Sequence, residues 1–147
     1  MKVQIINNSE TPAPKKFIQE WMDEYMSYLL KKKIIKKAAS EKELTLVFLN
    51  KKAAQKLNHE FRGKDYATDV LSFDSVDPAS IGELVMCPEV LKKQAKEHDL
   101  TYKHELGYML LHGILHLLGY DHEVSEKEAK KMFKIQDEAF EKLLEQF

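Results

Sequence analysis

The chain has one cysteine, Cys87, in 147 residues, so no disulfide can form within it. That usage fits a reducing compartment, and the cytoplasm is the expected location. No stretch approaches the ~20 consecutive apolar residues of a membrane span. The opening, Met1 to Glu10, lacks the apolar run of a signal peptide. No membrane partner is therefore expected. Charge of one sign is also missing in bulk: the formal net charge is −1 and names no partner. Arginine is almost absent, since of 23 basic residues only Arg62 is one. Lysine serves wherever a generic positive charge suffices, which marks Arg62 as a position where an ammonium would fail. No repeat, low-complexity tract or linker interrupts the chain, so one domain over residues 1–147 is expected.

What is present is a soluble, globular balance, 44% hydrophobic and 32% charged. A chain of this length can bury a core without a disulfide or metal staple, so a bound metal would be free to serve chemistry. Short strands are expected at Val3–Ile6, Leu44–Leu49, Asp69–Phe73 and Ile81–Met86, with a turn at Asp77-Pro78 between the last two. Phe17, Trp21, Tyr25 and Leu29 recur at helical spacing and predict a helix from Lys15 to Ala38. Further helices are expected over Lys51–Phe61, with Ala54 and Leu57 inward, and from Pro88 to His98. The stretch from Thr101 to Leu118 is apolar nearly all round, the pattern of a buried central helix. Gly119 ends it. Ser125 with Glu128 three residues on is a capping-box signature for a last helix with the stripe Met132, Ala139, Leu143. The order predicts an α+β or mixed α/β arrangement, with a small mixed sheet of about four strands flanked by about five helices.

The segment His112-Gly-Ile-Leu-His116-Leu-Leu-Gly119-Tyr-Asp-His122 carries the chemistry. Residues 112 and 116 lie four apart on one helix face, about 6 Å apart in rise, so two imidazoles can meet one metal. Gly119 lets the chain turn and return His122 as a third ligand. Three protein ligands leave a fourth tetrahedral position open, which is the pattern of a catalytic rather than a structural Zn²⁺. Imidazole also accepts Cu, Ni or Fe. The alternative is a set of core histidines satisfied by neighbours, yet burying two neutral rings on an apolar helix is costly unless their nitrogens find partners. The spacing matches the long zinc signature of metzincin proteases, except that Gly113 stands where those enzymes carry the Glu base.

Upstream lie Leu57-Asn58-His59-Glu60-Phe61-Arg62-Gly63-Lys64-Asp65 and Thr68-Asp69-Val70-Leu71-Ser72-Phe73. With the histidine segment, and in this order and spacing, they resemble the YbeY family of bacterial endoribonucleases, the ribosomal RNA maturation factors. The resemblance covers residues 44 to 123. It implies a single α+β domain, one zinc on His112, His116 and His122, and cleavage of single-stranded RNA. It further implies small-subunit ribosomal RNA processing, ribosome quality control, and RNA and the ribosome as partners. The family's arginine maps onto Arg62. Ala67 and Asp74 stand where the family often has Pro, and Glu83 where Asp is common.

The chemistry of Arg62 agrees with that transfer: a guanidinium grips phosphate bidentately, and phosphodiester cleavage builds negative charge that such donors stabilise. The bland alternative is a surface charge at a helix end. Lys31–Lys33, Lys36 and Lys37 can track an RNA backbone, or simply form a solvated face. His59, His98 and His104 lack partner spacing and read as surface residues. Cys87 reads as core. Asp121 beside His122 reads either as a turn former or as a carboxylate that orients the zinc site. A metalloprotease without its base and a non-enzymatic ribosome-associated zinc protein are the competing functions. A fourth protein ligand such as Asp121 would mark the latter.

Overall fold

The computed structural model describes residues 1–147. Strands β1 (Val3–Asn8), β2 (Glu43–Leu49), β3 (Val70–Phe73) and β4 (Ser80–Met86) form one sheet in the order β1-β2-β4-β3. The first three neighbours run parallel, and β3 lies antiparallel on β4. The sheet is thus mixed and the class α+β, as expected. Along β2 the side chains alternate, burying Leu44, Leu46 and Phe48 on one face. Leu46 pairs with Leu84 and Phe48 with Met86, so β4 continues that apolar face.

Six helices accompany the sheet: α1 (Lys15–Lys31), α2 (Lys37–Ser40), α3 (Lys51–Arg62), α4 (Pro88–Glu97), α5 (Tyr102–Leu117) and α6 (Glu126–Leu144). The expected first helix to Ala38 is corrected here. It stops at Lys31 because Lys33 takes a left-handed conformation, φ 58°. Ile34 N–H then donates to the Leu29 carbonyl and Lys33 N–H to that of Leu30. This is a Schellman cap with lysine in the place glycine usually takes. Ile34 and Ile35 beyond it fold back onto the core, and their burial offsets the backbone strain. Leu57 is half-buried, and its neighbour Asn58 takes the interior position on α3, donating through Nδ2 to the Tyr66 carbonyl at 2.7 Å.

α5 is the central helix. Leu106, Leu110, Leu111, Ile114 and Leu115 on it are all fully buried. Burying each such side chain contributes about 1.5–3 kcal/mol. Trp21 and Tyr25 of α1 pack across it and donate to the carbonyls of Gly107 and Leu111 at 3.0 and 3.3 Å. On its other side α5 lies so close to β4 that a Cβ at Gly113 would sit 2.7 Å from Leu84 Cδ2. The position that holds a general base in metzincins is therefore a packing contact here. Cys87 is buried where β4 meets α4, as expected. Ser125 caps α6, its hydroxyl accepting from Glu128 N–H at 3.1 Å.

Candidate metal centre

His112 and His116 project from one side of the last two turns of α5. Their Nε2 atoms lie 3.2 Å apart. After Leu117 the chain reverses through Gly119, whose φ of +100° suits glycine. Gly119 N–H donates to the His116 carbonyl and Tyr120 N–H to that of Leu115, a second Schellman cap. Asp121 Oδ1 then accepts from Glu123 N–H at 2.8 Å, fixing the turn that carries His122. The His122 ring centroid comes to 5.1 and 5.2 Å from those of His112 and His116. One nitrogen from each ring lies within 4.8 Å of the other two.

These residues fit a cation. Two nitrogens on one tetrahedral Zn²⁺ at 2.0–2.1 Å sit about 3.3 Å apart, close to the His112–His116 spacing. Burial pushes the pKa values of both His112 and His116 down, favouring the neutral ring that a metal requires. Gln136, buried on α6, places Oε1 2.9 Å from His112 Nδ1. A carbonyl oxygen only accepts, so Nδ1 holds the proton and Nε2 turns its lone pair toward the other two rings. Beside Gln136, Tyr108 donates its hydroxyl to Asp137 Oδ1 at 2.7 Å. Burial and that carboxylate raise the phenol pKa. The group of three admits no fourth His, Cys, Asp or Glu. Asp121 Oδ1 serves the turn.

The histidines line a cleft of about 640 Å³ that Arg62 also reaches. Arg62 ends α3, with Gly63 at φ +68° turning the chain away behind it. Its Nη2 lies 3.7 Å from Glu123 Oε1, with the side chain 38% exposed. Arg62 is thus exposed at a helix end, as the surface-charge alternative has it, and it also lines the cleft beside Glu123, the residue after His122. Asp69 also lines the cleft, its Oδ1 accepting from Val70 N–H at 2.8 Å and its Oδ2 from Gln94 at 3.3 Å. Arg62 faces the carboxylates of Asp69, Asp121 and Glu123 there, so with neutral imidazoles the lining is net −2. Phe61 stacks edge-on with Phe73 at 5.2 Å, and Phe133 lies 5.5 Å from the His122 ring.

Sequence reasoning missed Gln136, Asp69, Glu123, Tyr108 and Phe133 as cleft residues. Gln136 left a signal, a polar side chain on the apolar stripe of Met132, Ala139 and Leu143. Asp69 lies inside the quoted Thr68–Phe73 segment, and Glu123 left no signal. Ala67, Asp74 and Glu83, where the chain departs from the family pattern, do not line the cleft. Of the other histidines, His59 is exposed as expected. His98 is exposed as well, yet both it and the half-buried His104 have partners: His98 Nδ1 lies 2.9 Å from Oε2 of the fully buried Glu105, and His104 Nε2 lies 3.2 Å from the Phe147 carbonyl. Those contacts cross between elements, so spacing could not show them.

An α+β scaffold that brings three imidazoles together at an open cleft defines a site of the hydrolytic metalloenzyme class. Comparison with known proteins narrows it. The family model described as Endoribonuclease YbeY matches residues 4–144. The Endoribonuclease YbeY of Bdellovibrio bacteriovorus is 67% identical over 144 residues, covering 98% of this chain and 96% of that protein. That of Persephonella marina is 40% identical over 139 residues, covering 90% and 86%. A solution structure of a Thermotoga maritima protein superposes with a TM-score of 0.65 at 29% identity, over 98% of this chain and 90% of that one. The chain belongs to the Endoribonuclease YbeY family, a family of nuclease hydrolases. No helix is long and apolar enough to cross a membrane.

Proposed function

We propose that this chain is a zinc-dependent, single-strand-specific endoribonuclease of one domain, acting in the cytoplasm on small-subunit ribosomal RNA in its maturation and in ribosome quality control. The observation that carries the reading is the convergence of three imidazole nitrogens within 4.8 Å in the cleft that Arg62 lines. His112, His116 and His122 would hold one Zn²⁺. Bound there, the cation supplies Lewis acidity at the scissile phosphate and acidifies water.

The chain's own groups do the rest. Arg62 exchanges Glu123 for the phosphate and offsets charge that grows on the phosphoryl oxygens. The exchange is easy, because a 3.7 Å ion pair this exposed contributes at most about 1 kcal/mol. Gln136 keeps the His112 tautomer in which Nε2 is free. Phe133 packs beside the His122 ring, 5.5 Å between centroids. A protease reading would need a carboxylate at Gly113, and Leu84 occupies that space. A closed structural zinc would need a fourth protein ligand, and no fourth His, Cys, Asp or Glu joins the three histidines within 4.8 Å.

The test is cleavage of a single-stranded RNA by wild type, His112→Ala and Arg62→Ala, with the metal of each protein quantified. Wild type should hold one zinc and cut. His112→Ala should lose both properties. Arg62→Ala should keep the metal and lose about a hundredfold or more in rate. Equal residual cleavage by all three would expose a contaminant and overturn the reading.

A further inference from the structure

Behind the turn that carries His122 lies a second depression, of about 570 Å³. Leu118, Gly119 and Tyr120 line it, while Asp121, His122 and Glu123 line the cleft. One short segment is therefore the shared wall of both. Tyr120 and His122 are two residues apart, so their Cα atoms lie at most about 7 Å from each other. The floor of the groove is aliphatic, built from Ile34 and Ile35 beyond the α1 cap together with Leu118. Its rim is basic: Lys36, Lys42 and Lys131 face only Glu128, a net charge of +2. None of those three lysines is in an ion pair. Lys131 Nζ sits 5.6 Å from the centre of the Tyr120 ring.

We propose that this groove is a second nucleic-acid surface, which holds nucleotides of the RNA strand flanking the one in the cleft. The inference rests on RNA being the substrate of the cleft. A nucleotide is apolar on its base and anionic on its phosphate. The groove pairs an apolar floor and one aromatic ring with unpaired ammonium groups to match. The charge balance gives the reason for its position. The cleft lining is net −2 and one Zn²⁺ brings it only to 0, so the cleft offers a polyanion no net positive charge and the strand's electrostatic hold lies outside it. The adjoining groove supplies that hold within a residue or two of the ligand loop. Tyr120 offers the ring face on which a base stacks, and such stacking tolerates any sequence.

Fluorescence anisotropy on the full chain tests this, with a labelled single-stranded RNA long enough to reach past the cleft, titrated over a range of salt. The variant Lys36→Gln/Lys42→Gln/Lys131→Gln should bind about tenfold or more weakly at low salt. Its log-affinity against log-salt slope should flatten by about 0.7 for each phosphate that the groove no longer neutralises. Tyr120→Leu should weaken binding about fivefold or more. The control Lys52→Gln/Lys56→Gln/Lys96→Gln, altered on α3 and α4, should match wild type. A dinucleotide too short to leave the cleft should be cut equally by the groove variant and wild type. If the triple variant fails to melt cooperatively, Lys131→Gln alone must still flatten the slope. Groove variants that bind RNA like wild type, or a control that weakens as much, overturn the proposal. Intact RNA binding with loss of a protein ligand would assign the groove to a protein. Wild type that binds RNA but does not cut it removes the catalytic reading and leaves the groove standing. Wild type that binds no RNA removes both.

Discussion

The cleft and the groove share a wall and differ in almost every physical respect. The cleft is lined by half-buried imidazoles, with the basicity of His112 and His116 depressed, one guanidinium and three carboxylates. The groove is lined by aliphatic side chains and free lysines. Each is shaped by a Schellman cap, the first at Lys33 after α1 and the second at Gly119 after α5. A cluster of imidazoles flanked by carboxylates can concentrate a divalent cation and hold it through oriented lone pairs. A lysine-rimmed groove attracts a polyanion with little demand on orientation. Orientation therefore governs the first region and net charge the second, so perturbations of each kind should separate them.

The largest separation is expected at Gln136. Gln136→Leu removes the acceptor that holds the His112 proton on Nδ1, and zinc affinity should fall about 10- to 100-fold by chelator competition. Gln136→Glu keeps an acceptor and should restore most of it. RNA binding at the groove should not respond to either change. If Gln136→Leu holds zinc as tightly as wild type, orientation is not what governs the cleft.

A smaller effect is expected at Glu123, which acts on charge inside the cleft. Glu123→Gln frees Arg62 and lifts the lining from net −2 to −1. RNA affinity at low salt should rise up to about fivefold, the range of an exposed ion pair, and the gain should vanish at high salt. Unchanged or weaker binding would show that Glu123 positions Arg62 instead of competing for it.

The smallest effect lies outside both regions, at His98. Its contact with Glu105 raises its pKa, chiefly through the hydrogen bond. The folded pKa exceeds the unfolded value, so the stabilisation is complete below about pH 6.5 and disappears as pH rises through the raised value. The ring is 54% exposed, so screening keeps the effect small. Thermal melts across that range should show a modest fall that His98→Gln abolishes, with no change in zinc or RNA binding. A fall of the same size in His98→Gln would assign the pH response to other groups.

Much of this molecule is readable in one dimension because the relevant physics is local. The histidine pair four residues apart, the glycine that ends the helix and the Ser125 cap are set within one or two turns, and each stands where the pattern placed it. The helix from Lys15 was read too long because its stop depends on Lys33 adopting a left-handed angle. Only the burial of Ile34 and Ile35 against distant residues makes that angle tolerable. Gly113 reads in the sequence as a missing base, and in three dimensions as the place where α5 meets Leu84.

By itself the residue string determined the histidine triad, the buried helix beneath it and the strand order along the chain, since periodicity and short-range turns encode all three. Only the tertiary structure decided that Gln136 orients His112, that Arg62 meets Glu123 at the cleft mouth, and that scattered lysines converge behind Tyr120. These contacts join helices and loops far apart in sequence. They arise from how the whole core packs, which no local spacing records.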